Sequence, residues 1–270
     1  MIITAKNAVQ LGKMRSAGHL LYDVLCALRE KICPGMTTKA LDAYAEEMIR
    51  AGGAIPSFLG YQGFPASICT SIDEQVVHGI PSDKVVLVAG SIISVDCGLI
   101  LDGWQADSAF THSVGAITPE KARLIQVTEQ CFFSGASAAV AGNRIGDIGS
   151  AVQAVAEEHG YSVVRDLTGH GIGQDMHEPP SVPNFGMPGV GIRLRRGMTL
   201  ALEPMIAMGD YPVRQLSDGW TFITRDGSPC AHYEHTIAVS NGFPELLTLP
   251  GYVFKALHEE AGNTGARHEA

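Results

Sequence analysis

Several acidic and imidazole side chains occur in this sequence at places where their types and spacing could bind a metal ion. Asp96 and Asp107 flank Asp102-Gly103, a dipeptide that favours a two-residue hairpin turn. With that turn Asp96 lies opposite Ala109 and shares a face with Asp107, roughly 7–8 Å away at the backbone. Two carboxylates there could converge on a cation, which would relieve their repulsion. The alternative is that both are solvated residues at the end of a surface hairpin.

Three further residues of the same chemical type follow in apolar or glycine-rich segments. His170 lies between glycines in GHGIG, Glu203 interrupts the apolar run MTLALEPMI just before Pro204, and Glu234 shares a predicted strand face with His232. The alternatives are a loop histidine for His170 and an exposed strand position for Glu234. Four carboxylates and one imidazole suit Mn(II), Fe(II) or Co(II) better than a structural zinc ion. Their charge also suffices for two cations about 3.5–4 Å apart.

Composition excludes several other classes of protein. The 270 residues are 46% hydrophobic and 17% charged, as in an enzyme-sized globular protein. A net charge of −9 with no basic stretch argues against specific binding of nucleic acid. The six cysteines form no CxxC pair, so we expect reduced thiols in the cytoplasm. The N-terminal residues lack the pattern of a signal peptide, and no apolar run approaches roughly 18 residues, so we expect no export and no membrane span.

The pattern of apolar residues, glycines and capping residues predicts two similar halves. The predicted helices run from Thr4 to about Ile32, from Thr37 or Thr38 to Gly52, from Thr118 to about Ala141, and from about Gly146 to His159. Residues 54–83 are predicted to be irregular, 84–95 extended, and 161–248 mostly short strands. A long helix followed by a shorter one therefore occurs twice, which favours a pseudo-symmetric α+β domain. We predict one catalytic domain over residues 1–255 and a polar tail over residues 256–270.

The order of these segments resembles that of the type I methionine aminopeptidases, from Thr4 to about Leu247. Five segments carry the resemblance: SICTSIDEQVVHGIP at 67–81, DCGLILDGWQADS at 96–108, GHGIG with MHEPPSVPNFG within 169–186, LALEPM at 200–205 and HYEHTIAV at 232–239. The family implies the pita-bread fold, a pseudo-two-fold antiparallel sheet with helices on one face. It also implies a dinuclear metal-dependent aminopeptidase that removes the initiator methionine from nascent polypeptides with a small second residue.

The resemblance further implies roles for the residues that could do chemistry. The five metal ligands would be Asp96, Asp107, His170, Glu203 and Glu234, with Asp107 and Glu234 bridging two divalent ions (Co, Mn, Fe or Zn). Glu203 would also guide the proton of the attacking water. His78 and His177 would contact the substrate amide and stabilise the tetrahedral intermediate, and hydrogen bonding within loops is the alternative role for both.

A pocket for the methionine side chain is the remaining part of the site that the resemblance implies. Its walls would be Tyr61, Phe64, Cys69, Met176 and Trp220. Aromatic and sulfur-containing walls suit an apolar, polarizable thioether, and core packing is the alternative for each of these residues. Met176 and Phe58 depart from the commonest family pattern, which affects the shape of the pocket and not the chemistry.

Other proteins on the same fold provide the alternative functions. Aminopeptidase P and prolidase have a long N-terminal domain that this sequence lacks, and type II methionine aminopeptidases have a long insertion where Glu203 and Glu234 are separated by only 31 positions (234 − 203). A non-enzymatic binding protein would be expected to have lost ligands. We expect nascent peptide N-termini as substrates, transient association with the ribosome, and a monomer.

Overall fold

The structure is a computed structural model that describes residues 3–254, so the predicted polar tail lies outside the described residues. The helices are α1 (Ala8–Lys31), α2 (Thr38–Ala51), α3 (Pro119–Ala138) and α4 (Ile145–Glu158). The strands are β1 (Ile55–Pro56), β2 (Ile68–Ile72), β3 (Gln75–Val77), β4 (Ile92–Leu101), β5 (Trp104–Ser113), β6 (Ser162–Val163), β7 (Gly169–Gly171), β8 (Glu178–Val182), β9 (Thr199–Leu202), β10 (Met205–Ala207), β11 (Val213–Gln215), β12 (Phe222–Thr224), β13 (Cys230–His232), β14 (Glu234–Ala238) and β15 (Glu245–Leu246). A short 3₁₀ helix spans Tyr61–Gly63.

The start of α1 differs from the prediction. Asn7, not Thr4, caps the helix: its side chain accepts the N–H of Gln10, and the Gln10 side chain accepts the N–H of Asn7. The Thr4 hydroxyl instead donates to Glu178. Residues 3–6 therefore lie outside the helix and contact the body of the protein through Thr4 and Lys6.

The other three helices begin within one residue of their predicted starts, two of them at predicted capping residues. The hydroxyls of Thr37 and Thr118 accept backbone N–H groups at the starts of α2 and α3. α3 ends at Ala138, three residues before the predicted end, because Ala139 leaves helical geometry. α4 begins at Ile145. Both pairs of a long and a shorter helix are thus present.

A nine-stranded sheet lies beneath the helices, in the order β1-β4-β5-β14-β9-β7-β8, with β2 paired to β4 and β15 to β14. At its centre β4 and β5 form the predicted hairpin. Asp102 and Gly103 both have positive φ angles, 51° and 77°, as a tight turn between twisted strands requires. The register places Asp96 opposite Ala109, as predicted.

Residues 54–95 differ from the prediction in two places. The supposedly irregular stretch contains β2 and β3, and β2 pairs with β4 over its whole length. Nearly every residue of β2 is buried, so the strand lacks the alternation of polar and apolar residues that identifies a half-exposed strand. Residues 84–91, predicted to be extended, lie outside the named strands.

The helices and the polar cleft residues lie on opposite faces of the sheet. Val95, Cys97 and Phe110 point into a core shared with α1 and α2, while Asp96 and Asp107 alternate with them and point the other way. Over the other half of the sheet, α3 and α4 pack against β8, β9 and β14. A cavity of about 680 Å³ between α1, α3 and β5 lies on this helical face. The predicted α+β arrangement is confirmed.

Candidate active site

A cleft of about 180 Å³ opens on the face of the sheet opposite the helices, and every residue predicted to act in chemistry or binding lines it. Those residues are Tyr61, Phe64, Cys69, His78, Asp96, Asp107, His170, Met176, His177, Glu203, Trp220 and Glu234, joined by Phe58 and Gln62. The chain thus brings together residues that are up to 176 positions apart in sequence (234 − 58).

Three adjacent strands align carboxylates across the floor of the cleft. Asp96 on β4 and Glu234 on β14 are both opposite Ala109 on β5, so the three residues form one row. The small alanine side chain leaves room between the two carboxylates. Asp107 lies on the same face and is fixed by Thr236: its N–H donates to the Thr236 hydroxyl (3.1 Å), which donates to the Asp107 carbonyl (2.8 Å).

His170 and Glu203 approach this row from β7 and from the end of β9. His170 pairs with Ala201 across the two strands. Its Nδ1 lies 2.9 Å from the Gly171 carbonyl, which only accepts hydrogen bonds, so Nδ1 carries the proton. The lone pair is therefore on Nε2, which lies 3.6 Å from Oε1 of Glu203 and 3.9 Å from Oδ2 of Asp107. This tautomer is the one that a metal ligand needs.

A buried histidine next to the carboxylates of the cleft, His232, was not among the predicted site residues. Its Nε2 lies 3.7 Å from Oε2 of Glu234 and 3.9 Å from Oε2 of Glu203, and the residue is 1% exposed. The period-two spacing from Glu234 is the sequence signal that could have identified it. Two groups of donor atoms lie within 4.8 Å of one another: Asp96, His232 and Glu234, and Asp107, His170 and Glu234.

The donor set fits divalent cations. Oδ1 of Asp96, Oδ1 of Asp107 and Oε1 of Glu234 are buried and have no hydrogen-bond partner among residues 3–254. Burial raises the pKa of Asp96 to about 7. For Asp107, Glu203 and Glu234, burial together with the charge of neighbouring carboxylates raises the pKa well above the usual range. A cation among these oxygens would satisfy them and stabilise their ionised forms.

The metal-free protein is expected to lose stability as the pH rises above about 6.5. A carboxyl group whose pKa is higher in the folded than in the unfolded chain costs stability as the pH rises towards its folded pKa. Asp96 and Glu234 are examples. Burial lowers the pKa values of His170 and His232 to about 4 and about 3. Histidines with lowered pKa values make the stability rise with pH, but only up to their usual pKa of 6.5, so they do not offset the loss above that pH.

The melting temperature of chelator-treated protein should therefore fall as the pH rises above 6.5, through the pKa of Asp96 at about 7 and on towards the strongly raised pKa values of the other carboxyl groups. Each pKa unit corresponds to about 1.36 kcal/mol, or very roughly 3–5 °C for a chain of this size. Saturating Mn(II) should remove the loss. A flat or rising profile without metal would contradict this expectation.

His78 occupies a strained position at one wall of the cleft. It follows β3 with a φ angle of 61°, a left-handed conformation that is costly for a residue other than glycine and is often found at functional sites. The next residue, Gly79, accepts the N–H of Thr70 (2.8 Å), and a Cβ on Gly79 would lie 2.1 Å from the Thr70 carbonyl oxygen. Burial lowers the pKa of His78 to about 4, so the ring is neutral near pH 7.

His177 lies at the mouth of the cleft, hydrogen-bonded to Tyr61. The Tyr61 hydroxyl is 2.7 Å from Nδ1 of His177, and burial lowers the pKa of the imidazole, which is therefore neutral near pH 7. A hydroxyl that donates to Nδ1 leaves the ring proton on Nε2. Tyr61, predicted only as a pocket wall, thus also contacts His177 and can set its tautomer.

The loop that carries His177 is attached to the N-terminal segment. Nζ of Lys6 lies 2.5 Å from Oε2 of Glu178, and both side chains are largely buried. The other Glu178 oxygen accepts the N–H of Gln174 (3.0 Å). The Lys6 N–H donates to the Gly197 carbonyl (2.6 Å), which fixes the segment itself. These contacts hold both ends of the short stretch that contains His177.

Replacing Tyr61 with Phe is expected to lower kcat about tenfold, within the range for losing one hydrogen bond at a site, and to leave KM within about twofold. The ring would still fill its place, but Nδ1 of His177 would lose its partner. The measurement is the activity that the resemblance implies, release of an N-terminal methionine from a peptide at saturating metal. Unchanged kcat would show that Tyr61 serves only as a wall.

Aromatic and sulfur-containing side chains form the apolar end of the cleft. The rings of Phe64 and Trp220 meet nearly perpendicularly, with centroids 5.1 Å apart. Met176 and Cys69 are 3% and 4% exposed, and Cys69 pairs with Asp96 across β2 and β4. Burial raises the pKa of the Cys69 thiol well above its ordinary value, so it stays protonated. Cys69 also packs against Phe64, so it contributes to a small core as well as to the wall.

A buried cluster of carboxylates and imidazoles beside a small apolar pocket is the arrangement of a metal-dependent hydrolase. The model of metallopeptidase family M24 matches residues 12–241. The chain belongs to this family and, within it, to the type I methionine aminopeptidases.

Individual relatives and structures agree with this assignment. A methionine aminopeptidase of Clostridium acetobutylicum is 52% identical over 248 residues, which cover 92% of this chain and 99% of the relative. The crystal structure of methionine aminopeptidase from Rickettsia prowazekii superposes with a TM-score of 0.90 at 43% identity, covering 92% of this chain and 100% of that one. A prolidase from Pyrococcus furiosus has a TM-score of 0.69 at 19% identity, covering 91% and 65%, which shows a shared fold alone. The predicted pita-bread fold is confirmed.

Proposed function

We propose that this chain removes the N-terminal methionine from peptides whose second residue is small, with two divalent metal ions held by Asp96, Asp107, His170, Glu203 and Glu234. The observation that carries the proposal is the position of the two donor groups, which share Glu234 and lie in the same cleft as the apolar pocket. Glu234 belongs to both donor groups and Asp107 to one of them, and the resemblance implies that these two residues would hold both ions.

The pocket and the two histidines would fix the substrate. A methionine side chain enters between Phe64, Trp220, Met176 and Cys69, where a thioether replaces water against aromatic and sulfur surfaces. His78 and His177 lie at the walls next to the carboxylates. As neutral rings, each can donate one N–H to the peptide that enters the cleft, and to the oxyanion that forms at the carbonyl.

Bond cleavage requires a proton acceptor beside the attacking water. When bound, the ions would polarise the scissile carbonyl and lower the pKa of the water. Glu203 accepts the proton released as the water oxygen attacks the carbonyl carbon, and then delivers it to the amine nitrogen when the C–N bond breaks. Glu203 lines the cleft together with the other proposed ligands, which supports this role.

The test is release of methionine from Met-Gly-Met-Met by metal-free protein that is titrated separately with Mn(II), Co(II), Fe(II) and Zn(II). Release that requires metal would support the proposal and rank the ions. A folded protein that releases no methionine with any of the four would refute it. In that case a peptidase with another N-terminal preference, or a binding protein on the same fold, would replace it.

A small second residue should be required. The resemblance to methionine aminopeptidases implies that the second residue of the substrate has little room beside the metal ligands, and the cleft is small, about 180 Å³. We expect Met-Ala-Ser to be cleaved more than about tenfold faster, as kcat/KM, than Met-Leu-Ser, a ratio within the range that a close-fitting pocket achieves. Comparable rates would contradict the preference.

The cellular setting is part of the same proposal. The substrates would be the N-termini of nascent chains, reached by transient association with the ribosome, and the protein would act as a monomer in the cytoplasm. The six cysteines are all unpaired, as expected in a reducing compartment. Within residues 3–254, none of the helices has both the length and the apolar character of a membrane span.

A further inference from the structure

His232 has two polar atoms that the cleft leaves without a partner. It ends β13, two residues before Glu234, and pairs with Met205 of β10. The residue is 1% exposed, and among residues 3–254 neither ring nitrogen has a hydrogen-bond partner. A neutral imidazole has one donor and one acceptor, and leaving such a group buried and unsatisfied costs about 1–3 kcal/mol. Buried groups of this kind in native proteins call for an explanation.

Its distances to the neighbouring oxygens fit a shared ion better than direct hydrogen bonds. Nε2 of His232 is 3.7 Å from Oε2 of Glu234 and 3.9 Å from Oε2 of Glu203, both beyond hydrogen-bond range. Two donors that are each about 2.1 Å from one ion lie at most about 4.2 Å apart. The distance from His232 to Glu234, the residue that the two donor groups share, falls within that limit.

The second donor group supports the same conclusion. Asp107, His170 and Glu234 combine two carboxylates with one imidazole, and Asp96, His232 and Glu234 repeat that composition around the same shared glutamate. His170, which is among the predicted ligands, has its Nε2 at 3.6 and 3.9 Å from its nearest carboxylate oxygens. His232 matches these spacings closely.

We propose that His232 is a sixth metal ligand, whose Nε2 binds the ion held by Asp96 and Glu234. The inference rests on the proposed metal centre and adds to it one imidazole for each ion. Imidazole suits Zn, Fe and Ni, whereas carboxylates suit Mg and Mn. His232 would therefore shift the preference of this site away from Mn(II). With His232 each of the two sites has one imidazole, whereas the five-ligand set gives an imidazole to only one of them.

The test counts the imidazoles bound to metal. In protein loaded with Co(II), a coordinated histidine gives a strongly shifted proton signal from its second ring nitrogen, which 15N labelling of histidine identifies. Unsubstituted protein should give two such signals. His232→Gln and His170→Gln should each lose one and keep the other. His112→Gln is the matched control, because His112 lies outside the cleft with Nδ1 on the Ser113 carbonyl, and it should keep both.

Calorimetric titration of the same proteins provides the second measurement. His232→Gln should weaken the binding of one Co(II) ion by at least about 10–100-fold, the loss seen even for groups that only support ligands, and leave the other ion nearly unchanged. The ratio of Mn(II) to Co(II) affinity should rise in this variant.

Two results would overturn the inference. The first would refute only the role of His232, and the second would refute the metal centre as well. A single signal in unsubstituted protein that persists in His232→Gln and vanishes in His170→Gln would remove His232 from the ligands and leave the metal centre intact. No shifted signal and no binding of Co(II) would refute the metal centre itself. If His232→Gln does not fold, a single signal in unsubstituted protein that vanishes in His170→Gln would still overturn the inference.

Discussion

Replacing Glu203 with Gln is expected to lower kcat for methionine release by at least about 10²–10⁴-fold, the contribution typical of a positioned general base. The amide has nearly the same shape but cannot accept the proton of the attacking water. The substitution removes one buried carboxyl whose pKa is raised by burial, so the metal-free variant should be at least as stable as the parent at pH 8.

A matched variant shows whether the loss of kcat is specific to Glu203 or follows from any Glu-to-Gln substitution. Glu47 is exposed on α2, and Glu47→Gln makes the same chemical change far from the cleft, so it should keep full activity. The measurements are initial rates at saturating metal and thermal melts without metal. Full activity in folded Glu203→Gln would eliminate the proposed proton transfer.

Replacing His177 with Ala is expected to lower kcat about 10²–10³-fold, the loss typical of one donor to a developing oxyanion. KM should change much less, because the interaction strengthens as charge develops on the substrate. The Tyr61→Phe variant should lose far less, since it leaves the imidazole in place. Kinetics of the two variants and of the double variant provide the measurement.

The double variant tests whether the two residues act together. If Tyr61 acts through His177, the second substitution should add little to the first, so that the double variant equals His177→Ala. Additive losses would mean that Tyr61 has its own contact with the substrate. A rise in KM with kcat unchanged in His177→Ala would contradict the oxyanion role and leave His177 a binding residue.

Local patterns explain which parts of the fold could be predicted. The hairpin of β4 and β5 follows from Asp102-Gly103 because a two-residue turn fixes the register, and the register places Asp96 beside Asp107. The helix starts at Thr37 and Thr118 follow from capping residues. Each of these features is decided by residues within a few positions of one another.

Long-range packing decided the features that were missed. β2 is buried over nearly its whole length, paired to β4 and in contact with α2, so its sequence shows no alternation. Thr4 was predicted to cap α1, but its hydroxyl donates a hydrogen bond to Glu178, 174 positions away. His232 was placed on the strand face of Glu234, yet its closeness to Glu203 depends on how β10 and β13 pair, which spacing alone does not reveal.

Predicting the complete site required the resemblance to a known family in addition to the types and spacing of the residues. The carboxylates and His170 could be proposed as metal-binding from their types and their unusual surroundings. The pocket walls had no signal of their own, because buried aromatic and sulfur side chains are equally typical of a core. Tyr61 is the clearest case, since its contact with His177 joins two loops 116 positions apart.

The ion pair of Lys6 and Glu178 also bears on the order in which the protein is assembled during synthesis. A ribosome releases Lys6 early, whereas its partner follows 172 residues later and Glu234 later still. The N-terminal segment therefore cannot dock until most of the chain has emerged, and contacts of such long range form late in folding. The loop of His177 is fixed only at that stage. The cleft of a growing chain therefore stays incomplete until most of the chain has been synthesised.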